Sequence, residues 1–419
     1  MSNNSAVVRS SPSGRIESID VLRGVTILAM IFVNDVAGVS GAPAWMKHVS
    51  PPDADGMTFV DVVFPAFLFI VGMSIPFAIG RRLEREGSLG LLWRHILTRT
   101  LGLLVIGVFM VNSDSISDRG VLNPHLWTLL MYAGVILAWN TPPRQPGPKR
   151  KAVLGMRAAG VVGLVVMALL YRGTGEPSWI ELRPQWWGIL GLIGWAYLVA
   201  CVAYIPLRRQ PAGMVGIVAL LYCVYMADSA GYFSGMTWIT QWVSIGSALG
   251  SHAAITVSGV ILGMILTPDS LVTTHSARIR WAVLYGLGLA AAGLLLHSLH
   301  DIHKMFIINK IFATAPWCLW SSAITIWIWV AIYWLIDIQG WKRWTVVVEP
   351  AGQNALFAYI LAPILYSAFA LLAMADGGFD FYGELGSSFA IGFWRSLVFA
   401  FAVTWLAGGL RRVGVQLKL

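Results

Sequence analysis

A chain of 419 residues that is 57% hydrophobic and only 12% charged, with mean hydropathy +0.71, has about half the charged fraction of a soluble domain. That excludes an ordinary soluble protein, and the formal charge of +9 belongs to membrane topology before any nucleic-acid partner. Three cysteines, Cys201, Cys223 and Cys318, all lie in apolar runs, which excludes a disulfide framework and a Cys-rich metal site.

The Ser- and Asn-rich start is expected to be a disordered cytoplasmic tail over residues 1–14, with residues 15–419 forming a single transmembrane domain. Apolar runs of spanning length recur near 19–40, 59–80, 96–112, 125–140, 152–171, 186–207, 211–230, 249–267, 281–300, 316–337, 345–374 and 388–409. The fourth is short, and Glu349-Pro350-Ala351-Gly352 interrupts the eleventh. The fold class is therefore all-α: a polytopic transmembrane helical bundle of about twelve helices, ten at the fewest. No small-residue cleavage site follows the first run, so it is expected to be retained and not removed as a signal peptide.

Lys and Arg set the expected orientation. With the N-terminus inside, twenty-two of them fall on inner segments and six on outer loops (Lys47, Arg119, Arg172, Arg183, Lys304 and Lys310), while Arg395 falls within a span. Both termini are thus expected in the cytoplasm, with the 41–58 loop outside. Pro142 and Pro143 close the fourth run and begin a cytoplasmic linker with a basic stretch. There is no internal repeat, and the break at Glu349–Gly352 has no partner in another half, which argues against a two-fold transporter.

Ionisable groups in or beside spans are costly and tend to mark function. In chain order, Asp20 and Arg23 share a helix face at the inner end of the first span, as a helix-end pair or as the mouth of a cofactor site. Asn34 and Asp35 lie at the outer end of the same span, where Asn34 either caps a neighbouring helix or holds a substrate. The loop Trp45-Met46-Lys47-His48 follows. It puts an imidazole, the side chain suited to accepting and returning a proton near neutrality, at a membrane–water boundary. Asp61 opens the second span, where an anion also gains from the helix dipole. His95 belongs to the inner basic loop, whereas His125 and His252 open later spans as interfacial residues. His297, His300, Asp301 and His303 imitate a metal site in spacing, but spacing supplies neither geometry nor outer hydrogen bonds, so no metal is expected there. That outer loop, continuing to Asn309-Lys310, is expected to give polar contacts to a substrate. Trp45 and Trp317 are candidates to stack on a sugar ring, the other tryptophans forming interfacial belts.

Several ordered motifs then converge. Arg15-Ile-Glu-Ser-Ile-Asp20-Val-Leu-Arg23-Gly24, Ile31-Phe32-Val33-Asn34, Lys47-His48, Gly56-Met57-Thr58, Asp61-Val-Val-Phe64-Pro65 and Phe69-Ile70-Val71-Gly72 together resemble the heparan-α-glucosaminide N-acetyltransferase family. Weaker echoes are Ile307-Ile308-Asn309-Lys310 and Glu349-Pro350-Ala351-Gly352-Gln353-Asn354. The resemblance implies a transmembrane acyltransferase that moves acetyl from cytoplasmic acetyl-CoA, its cosubstrate, to a glucosamine-type amine on the outer side. By matching motif it makes His48 and Asn34 the catalytic pair. Asp20, Arg23, Asp61, Asn309, Lys310 and Asn354 fall on motif positions of less certain role; Asp61, Asn309 and Lys310, with Trp45 from its place beside the outer loops, are expected to contact substrate, and Asp20, Arg23 and Asn354 the cofactor. The chain departs from the family pattern at Gly120-Val-Leu-Asn-Pro-His125-Leu-Trp127 and at Ser247-Ala-Leu-Gly-Ser-His252, and it adds two helices in the middle. These departures bear on the acceptor and the acyl donor.

A thioester is already activated, so the protein must supply proximity and a base. His48 acts as that base or as a transient acetyl carrier. Acylation of a hydroxyl on an envelope glycan is the enzymatic alternative, and a proton-coupled solute transporter the alternative of another class. The expected setting is the inner (cytoplasmic) membrane, multi-pass. The expected partners are an amino sugar or glycan acceptor and the lipid bilayer, without nucleic acid; a homodimer is allowed.

Overall fold

A computed structural model describes residues 16–142, 145–176, 178–412 and 414–417. The expected tail over 1–14 lies outside the described residues. Twelve long helices carry the described chain: α1 (Glu17–Val36), α2 (Val60–Glu86), α3 (Leu89–Ser113), α4 (Pro124–Trp139), α5 (Pro148–Leu170), α6 (Ile189–Leu207), α7 (Pro211–Ser229), α8 (His252–Leu266), α9 (His275–His297), α10 (Ala315–Tyr333), α11 (Ala355–Ala375) and α12 (Phe389–Arg412). Each expected run has become one of them. Ten are long and apolar enough to cross a membrane. The chain is a multi-pass, all-helical membrane protein; no strand occurs among the described residues, only isolated bridges at Ile116–Gly173 and Asn140–Leu417. The remaining two are α4, of 16 residues, and α1, which carries Glu17, Asp20, Arg23 and Asp35.

Local chemistry sets the helix ends. Asn123 caps α4, its side chain accepting from the His125 and Leu126 N–H groups, and Pro124 fills the first turn where no donor is needed. Pro148, Pro211 and Pro316 occupy the same early positions in α5, α7 and α10. The expected break in the eleventh run falls at Asn354, whose non-helical backbone separates a short turn over Glu349–Gln353 from α11.

The chain folds as two compact units. The first comprises the chain up to Thr26, Pro43–Leu101 and Leu192–Val346. Its centre is α8, buried along its whole length and preceded by a π-helical stretch over Ile245–Ser251. Alpha-helix α2 packs on α8 through Gly72, Gly259 and Gly263, where any side chain would meet backbone of the facing helix. Helices α9 and α10 pack through Gly286 against Trp327 and Gly293 against Trp320.

The second unit comprises Ile27–Ala42, Gly102–Gly191 and Val347–Leu419. Here α4 meets α5 at Gly160, and the Trp127 indole donates to the Met167 carbonyl at 3.0 Å. The charge expected within the last span, Arg395, is paired: its guanidinium lies 3.1 Å from the Asp35 carboxylate, both deeply buried. The Tyr366 and Tyr382 hydroxyls each donate to Asp35 at 2.7 Å, and Arg395 stacks over the Tyr382 ring. A buried charge survives in such a place only when paired and hydrogen-bonded in this way.

Candidate active site

In the first unit the loop between α1 and α2 meets the loop between α9 and α10, and His48 lies where they join. Its Nδ1 is 2.6 Å from Asp61 Oδ1. The imidazole is about half exposed (46%), whereas Asp61 is 2% exposed. A buried carboxylate thus orients a base that substrate can reach.

Asp61 sits in the first turn of α2, and its second oxygen accepts the Thr58 N–H at 3.0 Å and the Val49 N–H at 3.4 Å. The Thr58 hydroxyl is turned to the Lys47 carbonyl at 2.8 Å, which ties the loop segment carrying His48 to the start of α2. The carboxylate therefore has one oxygen free, and His48 Nδ1–H donates to it. That fixes the tautomer and leaves the Nε2 lone pair outward. Gly56 precedes this turn with φ +148°, a backbone that side chains rarely adopt, and its N–H donates to Ile308 at 2.7 Å.

Lys310 completes the cluster. Its Nζ lies 3.1 Å from His48 Nε2 and 3.2 Å from Nδ1. Because Nδ1 already donates to Asp61, only Nε2 can accept, so the ammonium donates there. Burial pushes the Lys310 pKa down, opposed by the Asp61 charge. The lysine is carried on a tight turn in which Ala313 adopts φ +50° while almost fully buried. A non-glycine residue held there stores strain, as functional turns often do.

Asn309, expected to contact substrate, uses its side chain within the fold. Its amide donates to the Pro52 and Ala54 carbonyls, both at 2.9 Å, and its carbonyl accepts the Phe312 N–H. Beside it, Asp55 accepts the Ile308 N–H at 2.8 Å and lies 2.7 Å from His297 Nε2. These bonds clamp residues 51–56 onto the Lys310 turn and so set the distance between Lys310 and His48. Burial would raise the Asp55 pKa, but the His297 and Ile308 bonds outweigh it and hold the carboxyl below its ordinary value. Such a group contributes in full above the unfolded carboxylate pKa of about 4 and loses its contribution as pH falls through the lowered value. Replacing Asn309 by alanine strands two carbonyls and one N–H, so the clamp is expected to lose about 1–3 kcal/mol. Faster protease cleavage or amide exchange at residues 51–56 would register that loss; unchanged protection there would contradict the clamp.

The remaining expected residues fall as follows. Trp45 is 62% exposed and packs a tilted ring on Phe59 at 5.7 Å, leaving a face open. Trp317 is fully buried and so is no sugar platform, a correction to the sequence reading. It packs edge-on against His252, itself buried, whose Nδ1 is 2.8 Å from the Ser247 carbonyl. At the other end of the unit, Arg23 binds Asp20 and the Ser74 hydroxyl, each at 2.8 Å. Asn34 and Asn354 belong to the second unit. Asn354 donates to the Ala407 and Val415 carbonyls at 3.3 Å, and Asn34 is exposed and lines a cavity. Among the described residues no group of three or more His, Cys, Asp or Glu is arranged to hold a metal.

Residues 15–244 match a protein family described as a domain of unknown function, DUF5009. The chain belongs to that family. The match includes Asp20, Arg23, Asn34, His48 and Asp61 but stops short of Lys310. The chain is also 24% identical over 380 residues to heparan-alpha-glucosaminide N-acetyltransferase of Homo sapiens, covering 83% of this chain and 52% of that protein. It is 25% identical over 403 residues to the Mus musculus protein of the same name, covering 86% and 55%. These similarities bear out the resemblance drawn from the motifs. The chain spans about half the length of the curated relatives it matches.

The sequence singled out His48, Asp61 and Lys310 separately. What it missed is that the first two form a hydrogen-bonded pair and the third caps it. The only signal was weak: an acid in the first turn of α2, read as a helix-end anion, could equally face back into the loop it follows.

Proposed function

We propose that this chain is a multi-pass membrane acetyltransferase moving acetyl from acetyl-CoA to the amine of a glucosamine-type sugar. The observation that carries the reading is the exposed imidazole of His48 oriented by buried Asp61, in a chain similar to heparan-alpha-glucosaminide N-acetyltransferases. In this mechanism the acceptor amine attacks the thioester carbonyl while His48 Nε2 takes the amine proton. Asp61 accepts the Nδ1–H bond throughout and stabilises the imidazolium that forms. The tetrahedral oxyanion then collapses, and CoA leaves as the thiolate. Transient acetylation of Nε2 is the covalent variant of the same chemistry.

Lys310 supplies positive charge at the imidazole edge, where the oxyanion would develop, and must exchange its bond to Nε2 for one to substrate. Asn34 remains a second catalytic candidate on its motif alone. Asp20, Arg23 and Asn354 remain candidates for the coenzyme side, with inner basic loops meeting its phosphates. The positive-inside count supports an orientation with both termini cytoplasmic and His48 facing out, in an inner membrane.

The test is CoA release by the purified chain in detergent, with acetyl-CoA, in the presence and absence of glucosamine. Glucosamine-dependent release is the expected result, and the absence of both coenzyme binding and CoA release would overturn the reading. Replacing Lys310 by methionine is expected to lower kcat about 10²–10³-fold, the usual cost of one oxyanion donor, with KM for acetyl-CoA little changed. A rise in KM at constant kcat would instead make Lys310 a binding residue.

A further inference from the structure

Among the described residues His252 is the one buried histidine, 6% exposed, and the mechanism above does not use it. It opens α8 where the π-helical stretch Ile245–Ser251 ends, a kind of irregularity frequent at functional sites. The Ser247 carbonyl accepts both its backbone N–H and, at 2.8 Å, its ring Nδ1–H. A carbonyl can only accept, so Nδ1 carries the proton and Nε2 keeps a lone pair. No donor among the described residues is bonded to that Nε2. Even the indole N–H of Trp317, buried beside the ring and without an acceptor among the described residues, does not take it. The ring lies between Trp317 and Phe64, at centroid distances of 6.1 and 5.6 Å. Phe64 is three residues along α2 from Asp61, one helical turn further on the same face, and the charge of Lys310 acts on the His252 ring.

We infer that His252 is a positioning residue for Lys310: its Nε2 lone pair receives the Lys310 ammonium whenever His48 Nε2 is occupied. The need for such an acceptor follows from the bond already described. Lys310 Nζ donates to His48 Nε2 at 3.1 Å, and that lone pair is the one that must take a proton or an acyl group. Once it is taken, the ammonium loses its acceptor and, after protonation, faces an imidazolium at contact distance. A largely buried ammonium without a partner is costly. Asp61, 2% exposed, already accepts from His48, Thr58 and Val49. A lysine side chain is flexible enough to move between two acceptors, and a neutral second imidazole offers one without adding charge. The inference rests on the transfer reading only for the identity of the acyl donor; the exchange itself requires nothing but occupation of His48 Nε2.

Carbethoxylation by diethyl pyrocarbonate tests it, because that reagent acylates an unprotonated imidazole nitrogen without any coenzyme. His48, about half exposed, is open to it, and peptide mass spectrometry of the full chain gives its rate relative to exposed His303. His252→Phe keeps an aromatic ring between Phe64 and Trp317 and leaves the Ser247 carbonyl its backbone bond, but it removes the second acceptor, so Lys310 stays on His48. His48 should then react about tenfold more slowly, the low end for one hydrogen bond to a charged group. His252→Gln, which returns an acceptor near the Nε2 position, should recover most of the rate. In a Lys310→Met background, His252→Phe should have no effect. An unaltered rate in His252→Phe, a slowing that persists with Lys310→Met, or His252→Gln as slow as His252→Phe would each overturn the inference. If His252→Phe does not fold, His252→Asn, which keeps a donor for Ser247 but falls short of the Nε2 position, takes its place. On the transfer reading kcat should fall in parallel while KM for acetyl-CoA holds. CoA release indifferent to His252 would remove this inference and leave the transfer reading, whereas the carbethoxylation effect without CoA release would do the reverse.

Discussion

Replacing His48 by alanine is expected to abolish glucosamine-dependent CoA release to within about 10²–10⁴-fold of the unaltered rate, the usual contribution of a positioned general base. The fold should survive, because the imidazole is about half exposed and the groups that lose a partner are the acceptor Asp61 Oδ1 and the donor Lys310 Nζ. That carboxylate oxygen can turn to water through the space the ring vacates. Asp61→Asn is the sharper companion. The amide is nearly isosteric, but it can present an N–H to Nδ1 and so favour the wrong tautomer, with the lone pair inward and the proton on Nε2. A base with its proton facing the substrate cannot take another. The two variants should therefore fall by similar factors, and the double variant by hardly more, because groups acting as a unit are not additive. Independent, multiplying losses would show that Asp61 acts on substrate and not through His48. Acetylation of His48, trapped by brief exposure to acetyl-CoA and read by mass spectrometry, would then separate carrier from base.

The sequence reveals what repeats locally and hides what pairs at long range. Twelve helices were legible because each is a run of apolar residues long enough to register against its flanks, and even α4, with only 16 residues, is bounded by Asn123-Pro124 and Pro142-Pro143. The break before α11 was legible from Pro350 and Gly352, although the residue that leaves the helical region is Asn354. His48 stood out through its motif and its place beside a span. Its neighbours did not: Asp61 is 13 positions away across an irregular loop, and Lys310 is 262 away. The same holds for Arg395, a lone charge in an apolar helix whose partner, Asp35, lies 360 residues earlier. Helical and hydropathy periods carry no information about such contacts. The role of Asn309 was hidden for a related reason. A polar side chain in an outer loop reads as a substrate contact until the backbone carbonyls that consume it are in view.

A single methyl group at Gly259 or Gly72 is expected to cost as much as any substitution in the first unit. A Cβ on Gly259 would lie 2.0 Å from the Phe69 carbonyl oxygen, and one on Gly72 would lie 1.9 Å from that of Thr256. Both obstacles are backbone atoms of the facing helix, so no side chain can swing aside. Helices α2 and α8 would have to part by about an ångström or more along their shared face, against the ~1–3 kcal/mol of ordinary overpacking as a lower bound. Close approach of this kind is what small residues give membrane helices, where apolar lipid offers no competing drive to associate. Gly80, also on α2, is the control: a Cβ there meets nothing within 4 Å, so Gly80→Ala should be neutral or stabilising by up to about 1 kcal/mol. Thermal midpoints in detergent should fall sharply for Gly72→Ala and Gly259→Ala and hold for Gly80→Ala; equal behaviour of all three would refute the packing argument. The consequence reaches the site. Asp61 lies on α2 eleven residues before Gly72, about 16 Å along the axis, and Lys310 leads into α10, which packs on the same helix. Whatever fraction of Gly72→Ala protein does fold should release CoA more slowly, since a shift of the helix that carries Asp61 changes its register with the elements that hold Lys310.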